Sequence, residues 1–571
     1  MFIKERLLKV LALLALIYLC LGGVLFYHQV INGKNLAQEA AAIRTRKVSV
    51  RDIPRGEILD RNGIPLTGNY TVWAACCLPR LITDAEQVSV ELASVLRMDA
   101  GRLQKDIKRA ARRGEFFLTV KHPLDNRERE ALIQARIPGV FLNPVKQRYS
   151  SDGFCLHLIG QTIQADAGAG EGQEWAGASG IEKRYDEELK ESWHSEELVA
   201  VLDARGGIIP GLFGKIDHEW KEAASQRVVM TIDYKVQQLV EKAMEGRVKK
   251  GAVVVMDVGS RDILALASRP VFNPYKAGES LAEARDSPFL NRAFGLYHPG
   301  SIFKLVVAAA ALEAGLVAED DIFDCTGSHV FNDQVSIACW KEGGHGMVKL
   351  PEALANSCNS AFIEIGSRVG RKQLLQYARR LQIMDTRIVG YPGVEGGGYV
   401  RIEPGAPALG NACIGQEGVM LTPVQVASLI TTIADDGQWR SPRLVKGIQQ
   451  LNGRWEQAFE PGGGTRVISR PTARQLQDML CLAVEEGTGS QARTSLVGCA
   501  GKTASSQTGQ FSVDGAEHLD TWFAGYFPTD DPRWVVVVLV EDGVSGGRSC
   551  APVFKEIAEG IINFETAIIR R

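Results

Sequence analysis

The sequence predicts an α+β protein carried on one membrane-crossing helix, and three observations lead there. Strand-like apolar runs cluster at 252–267 and again at 497–540, helical patterns fill the stretch between them, and Val10 to Tyr27 carries no charge. Strands at both ends of a domain with helices between them predict a sheet completed by distant parts of the chain. Alternating β-α units would instead spread the strands evenly.

The N-terminal run of 18 residues spans a bilayer core of about 30 Å as a helix. Lys4, Arg6 and Lys9 precede it against Glu5 alone, which keeps the N-terminus cytoplasmic and sends the chain from about residue 30 across the membrane. A cleaved signal peptide fits less well, because no clean small-x-small site follows and the apolar stretch is long for a signal core. Leu19 before Cys20 is not the small residue that a lipid-attachment signal carries.

From residue 30 to about 225 the chain is charged, mixed and irregular, without an internal repeat. Its Gly/Ala-rich stretch Ala165 to Gly180 predicts a loop. Arg55 to Gly63 and Gly177 to Tyr185 place charges around short apolar pairs and predict salt-bridged turns. After Val228 to Asp233 comes a helical stretch. Ala252–Met256 and Ile263–Ala267, parted by a turn at Gly259, then predict a hairpin. Helices are predicted over Ser301–Gly315, Leu350–Val369, Pro423–Gly437 and Pro471–Glu486. Strands follow over Val497–Gln510, Thr521–Phe527 and Trp534–Val540, with a closing helix over Pro552–Ile569. The resulting division is 1–29 as tail and anchor, 30–225 as a mixed, irregular region and 226–571 as the α+β domain.

Composition narrows the function. With 571 residues there is ample chain for a large core, and net charge −2 gives no electrostatic pull toward nucleic acid. Eleven cysteines outside a reducing cytosol could form bridges, although the count is odd and a chain this size needs no staples. Cys325 and Cys339 form the first pair to consider. Together with His345 they could instead bind metal, but the spacing fits no compact zinc pattern, so no metal is expected.

Three polar groups recur in a fixed order: Ser301-Ile302-Phe303-Lys304, Ser357-Cys358-Asn359 and Lys502-Thr503-Ala504. A serine hydroxyl is a poor nucleophile at neutral pH and needs a base and a place for the oxyanion. Pro299-Gly300 opens a helix with Ser301 in its first turn, where backbone N–H groups favour developing negative charge. Lys304 lies one turn on, before the apolar run Leu305 to Leu312. Burial there favours a neutral amine that can accept the serine proton. Ser357 and Asn359 follow the end of a short helix, where a hydroxyl can relay a proton and an amide can bind a peptide. Taken alone they also fit a helix-capping pair. Lys502, Thr503 and Ser505 project from a strand at a sheet edge, suited to holding an added peptide strand and its terminal carboxylate.

Together these motifs resemble the class B penicillin-binding transpeptidases, the membrane-anchored enzymes that crosslink peptidoglycan. The likeness extends to Arg55–Arg61, Gly180-Ile181-Glu182, Thr231-Ile232-Asp233, Gly415-Gln416, Thr422-Pro423, Gly487-Thr488-Gly489 and Trp522–Tyr526. It implies a five-stranded antiparallel sheet flanked by helices, above a pedestal domain of the dimerisation type. It implies Ser301 as nucleophile, Lys304 as base and Ser357 as proton relay. Asn359 would hold the peptide, Lys502, Thr503 and Ser505 its carboxylate, and the N–H groups of Ser301 and Ser505 the oxyanion. It further implies β-lactams as acylating ligands, no cofactor, and a partner: a polytopic glycosyltransferase of the shape, elongation, division and sporulation family. Ala504 departs from the family glycine, and its methyl is expected to slow β-lactam acylation by crowding the ligand backbone. Two other functions share the fold: a weakly active scaffold for a glycosyltransferase, and a β-lactamase or β-lactam sensor.

Overall fold

The computed structural model describes residues 2–33, 36, 45–49, 55–79, 82–113, 115, 117–166, 173–190, 196–202, 208–217, 226–276, 286–392, 398–512 and 515–569. Helix α1 (Phe2–Phe26) contains the uncharged run, and from Leu7 its apolar side chains are exposed on every face. It is long and apolar enough to cross a membrane.

The chain divides into two compact units. The first gathers 1–54, 69–148 and 194–221. Its centre is a three-stranded antiparallel sheet in which β1 (Tyr70–Cys77) lies between two later strands, Leu118–Lys121 and Val140–Gln147. Helices α2 (Ala85–Leu96) and α3 (Ala100–Arg113) cover one face with Val88, Leu92, Leu96, Leu103 and Ile107. Those positions recur at helical spacing, which is why even the strongly charged Ala100–Arg113 forms a stable helix. This part of the chain is more regular than its mixed composition suggests.

The second unit gathers 55–68, 149–193 and 222–571. Arg55 bonds Glu182 at 3.1 Å, both side chains buried, and reaches Asp186 at 2.7 Å. The two salt-bridged turns expected separately are therefore joined to each other. The Gly/Ala-rich stretch is not a plain loop: Thr162–Asp166 pairs antiparallel with Gln173–Gly177, and the residues between lie outside the described set.

The main sheet begins with the expected hairpin, β2 (Gly251–Asp257) and β3 (Ile263–Arg269). Helix α4 (Lys304–Glu313) follows. Three further strands come from near the C-terminus: β4 (Ala500–Phe511), β5 (Glu517–Phe527) and β6 (Trp534–Val540). The five are antiparallel in the order β3-β2-β6-β5-β4, so β4 is an edge strand. β2 and β6 pair through Val253↔Val538 and Val255↔Val536, and every residue of β6 is buried. Burial on both faces explains why these strands read as continuous apolar runs rather than alternating ones. Val236 and Val240 from the helix Tyr234–Met244, with Phe554, Ile557 and Ile561 from the closing helix Ala551–Ile569, fill one face. The helix Pro423–Ala434, buried at every position, packs on the other.

Candidate active site

Three elements meet at one cleft of about 780 Å³, lined by Ser301, Ser357, Asn359, Thr503 and Ser505 among others. Ser301 does not sit within an α-helix as the sequence suggests. Gly300–Phe303 is a tight 3-10 turn and α4 begins only at Lys304. Gly300 holds φ +54, a left-handed geometry that costs L residues roughly 1–2 kcal/mol and so calls for glycine. The predicted helix over Leu350–Val369 is likewise broken, into Leu350–Ala355 and Asn359–Val369. Ser357 at the break holds φ +55, unusual for a residue with a side chain and the kind of strain that clusters at working sites. Asn359 opens the second helix instead of lying in the loop.

The side chains form one chain of hydrogen bonds. The Ser357 hydroxyl donates to the Ser301 hydroxyl at 2.8 Å. The Lys304 ammonium donates to the Ser357 carbonyl at 2.8 Å, to Asn359 Oδ1 at 2.8 Å and to the Ser357 hydroxyl at 3.3 Å. Its three N–H bonds thus meet three acceptors, and its link to Ser301 runs through Ser357. Lys304 is wholly buried, and loss of water pulls its pKa from 10.5 to about 7. The face of Phe362, 5.6 Å away, restores part of the lost stabilisation of charge.

The strand wall is arranged differently from the expectation. Thr503 and Ser505 line the cleft, but Lys502 is fully buried behind them, donating to the Thr503 carbonyl at 3.0 Å. Burial, then repulsion from Lys304, holds its pKa well below the ordinary lysine range. Among the described residues lining the cleft the cation is Arg548, which is exposed. Ala504 is 4% exposed, and a Cβ added to Gly300 would stand 3.2 Å from its methyl. The methyl therefore packs toward the turn that carries Ser301, in addition to bordering the cleft. Two bonds to the His298 carbonyl, from Ser506 at 2.7 Å and Trp522 at 3.1 Å, tie β4 and β5 to that turn.

Residues beyond the three motifs also reach the cleft. The Thr488 hydroxyl bonds that of Thr503 at 2.6 Å, and Trp340 forms part of the opposite rim while donating to the Asn356 carbonyl at 2.9 Å. Nothing in the spacing of Trp340 or Arg548 marks them. Cys325 and Cys339 are both free thiols rather than a bridge.

A family model described as the penicillin-binding protein transpeptidase domain matches residues 251–559, and one described as the penicillin-binding protein dimerisation domain matches 51–209. The chain belongs to the penicillin-binding transpeptidases. It is a serine-type transpeptidase, and the scaffold and β-lactamase functions are not favoured. Stage V sporulation protein D of Bacillus subtilis is 28% identical over 97% of this chain and 85% of its own length. Peptidoglycan D,D-transpeptidase PbpA of Mycolicibacterium smegmatis is 31% identical over 57% of this chain and 70% of its own. MrdA of Escherichia coli, also named a peptidoglycan D,D-transpeptidase, is 26% identical over 81% and 77%. A crystal structure of a D,D-transpeptidase domain from Eggerthella lenta shares the fold, with TM-score 0.60 and 22% identity over 90% of this chain and 99% of that one.

Proposed function

We propose that this transpeptidase crosslinks peptidoglycan, with Ser301 as the covalent carrier. The observation that carries the proposal is the unbroken path from the Ser301 hydroxyl through Ser357 to the amine of Lys304. When Lys304 is neutral its lone pair accepts the Ser357 proton and Ser357 accepts that of Ser301. The freed alkoxide attacks the penultimate D-alanyl carbonyl of a stem peptide. Backbone N–H groups of Ser301 and Ser505 receive the oxyanion, and collapse breaks the peptide bond. The terminal D-alanine leaves with the proton from Lys304. An amine of a second stem peptide then attacks the ester and gives its proton to Lys304, which returns it through Ser357 to the departing Ser301 oxygen, restoring the free hydroxyl and the neutral amine. Asn359 orients the peptide. Thr503, Ser505 and exposed Arg548 take its carboxylate by charge-assisted hydrogen bonds, with Lys502 adding its field from behind.

β-Lactams acylate the same serine. Intact-mass and peptide mapping of the full-length protein in detergent, after penicillin treatment, should find one long-lived adduct on Ser301. Rapid turnover of the antibiotic would instead mark a β-lactamase.

The same proposal places 1–29 as tail and anchor, 30–225 as pedestal and 226–571 as catalytic domain, on the extracytoplasmic face of a bacterial membrane. The exposed apolar helix α1 and the dimerisation-type region fit contact with a polytopic glycosyltransferase. Co-purification that is lost when the anchor is exchanged for an unrelated one tests that partner.

A further inference from the structure

Beneath the Ser357 turn lies a group of side chains that the acyl-transfer chemistry does not use. Cys325 ends the strand Ile322–Cys325, Cys339 follows Val335–Ala338, His345 precedes Gly346–Lys349 and Cys358 caps Asn359–Val369. Residues 33 positions apart along the chain thus converge, and their four ligand atoms all lie within 4.8 Å of one another. The three cysteines are buried, at 1%, 7% and 0% exposure, and all are free thiols.

The distances carry a second message. A tetrahedral zinc ion holds sulfur at about 2.3 Å and nitrogen at about 2.0–2.1 Å, which sets each sulfur-nitrogen edge near 3.6 Å. Cys325 Sγ and Cys339 Sγ stand 3.6 and 3.5 Å from Nδ1 of His345. Both edges of the polyhedron that involve the imidazole and these thiols are already at length. His345 Nε2 is buried without a hydrogen-bond partner, so the protein spends this ring on its Nδ1 side. Three soft thiolates and one imidazole suit zinc and do not suit the hard cations that prefer oxygen. Any one disulfide would strand the third thiol, whereas one ion uses all four groups.

We propose that Cys325, Cys339, His345 and Cys358 form a structural zinc site that fixes the Ser357-Cys358-Asn359 turn. Chain spacing alone does not reveal this group, because Cys358 lies inside the Ser357-Cys358-Asn359 motif, apart from Cys325, Cys339 and His345. The ion would grip the residue between the proton relay and the peptide-binding amide. Asn359 Nδ2 donates to the Ala338 carbonyl, next to Cys339, at 3.0 Å. Trp340, beyond Cys339, meets the His345 ring edge-on at 5.5 Å and lines the cleft. Two ligands are therefore each one residue away from groups that face the substrate, and the site holds Ser357 in its left-handed backbone geometry without touching the reacting atoms.

The test is metal analysis of the full-length protein purified in detergent without chelators, from zinc-supplemented medium. About one zinc per chain is expected, lost in His345→Ala and kept in His345→Cys and in Cys481→Ser, which lies outside the cluster. Acylation by a fluorescent penicillin should fall at least tenfold in His345→Ala and recover in His345→Cys, separating metal-dependent positioning from the loss of one side chain. Wild-type protein with less than about a tenth of an equivalent of zinc overturns the site, whatever the variants do. So does peptide mapping that finds two of the three cysteines joined, or stoichiometric iron in place of zinc. Zinc that is retained in His345→Cys without recovery of acylation overturns the link to the turn. None of these outcomes depends on the peptidoglycan substrate, so the zinc proposal stands or falls apart from the proposed reaction.

Discussion

The helix wall and the strand wall of the cleft each bury a lysine, and to different ends. Lys304 and Lys502 are both wholly buried, and burial lowers the pKa of both. Lys304 has three acceptors, one of them the Ser357 hydroxyl that bonds Ser301, whereas Lys502 donates to the carbonyl of its own neighbour Thr503. Desolvation alone therefore does not make a base. In the proposed reaction the base is the amine whose lone pair, once free, points along a path that ends on the serine.

Removing the end of that path has the largest effect: Ser301→Ala should give no covalent penicillin adduct by intact mass. Next come Lys304→Ala and Ser357→Ala, each expected to slow acylation on the order of 10²–10⁴-fold, the range of a lost proton-transfer group. If Lys502→Ala proves as damaging to the rate at saturating ligand as Lys304→Ala, the distinction between the walls fails. The pH profile sharpens it. Burial lowers the Lys304 pKa to about 7, and only the neutral amine accepts a proton. Stopped-flow acylation should thus be level above that pH and fall roughly tenfold per unit below it. A flat profile down to pH 5 would assign proton transfer elsewhere.

On the strand wall, Arg548→Ala should weaken binding of carboxylate-bearing ligands by about tenfold with little change in the maximal rate, as for a partly exposed charge-assisted contact. The smallest effect concerns Ala504. Because its methyl packs toward Gly300, Ala504→Gly should change the acylation rate by less than about threefold, short of what crowding of the ligand backbone would predict.

The contrast between the walls also shows what the sequence could carry. Residue types and order point to Ser301, Lys304, Ser357 and Thr503, and in the structure Ser301, Ser357 and Thr503 line one cleft while buried Lys304 bonds Ser357. The strands of the main sheet were legible as continuous apolar runs because both faces are covered. The direction of Lys502 was not, since strand alternation does not say which side faces the cleft. The end of a short helix before Ser357 is legible, but the left-handed geometry of Ser357 is not, since no glycine marks it and a left-handed serine is held by its surroundings. The hairpin at 162–177 was hidden by small residues, which carry turns and strands alike.

The carbonyl of His298 receives both Ser506 and Trp522, and a Cβ on Gly415 would lie 2.0 Å from the oxygen of Gly300. A side chain at Gly415 would therefore strike the main chain of the turn that carries Ser301, so this turn has little room to shift. Trp340, Gln491 and Arg548 are by contrast exposed side chains on the rim, where, on the proposed reaction, a substitution can alter ligand preference while leaving the packing beneath intact.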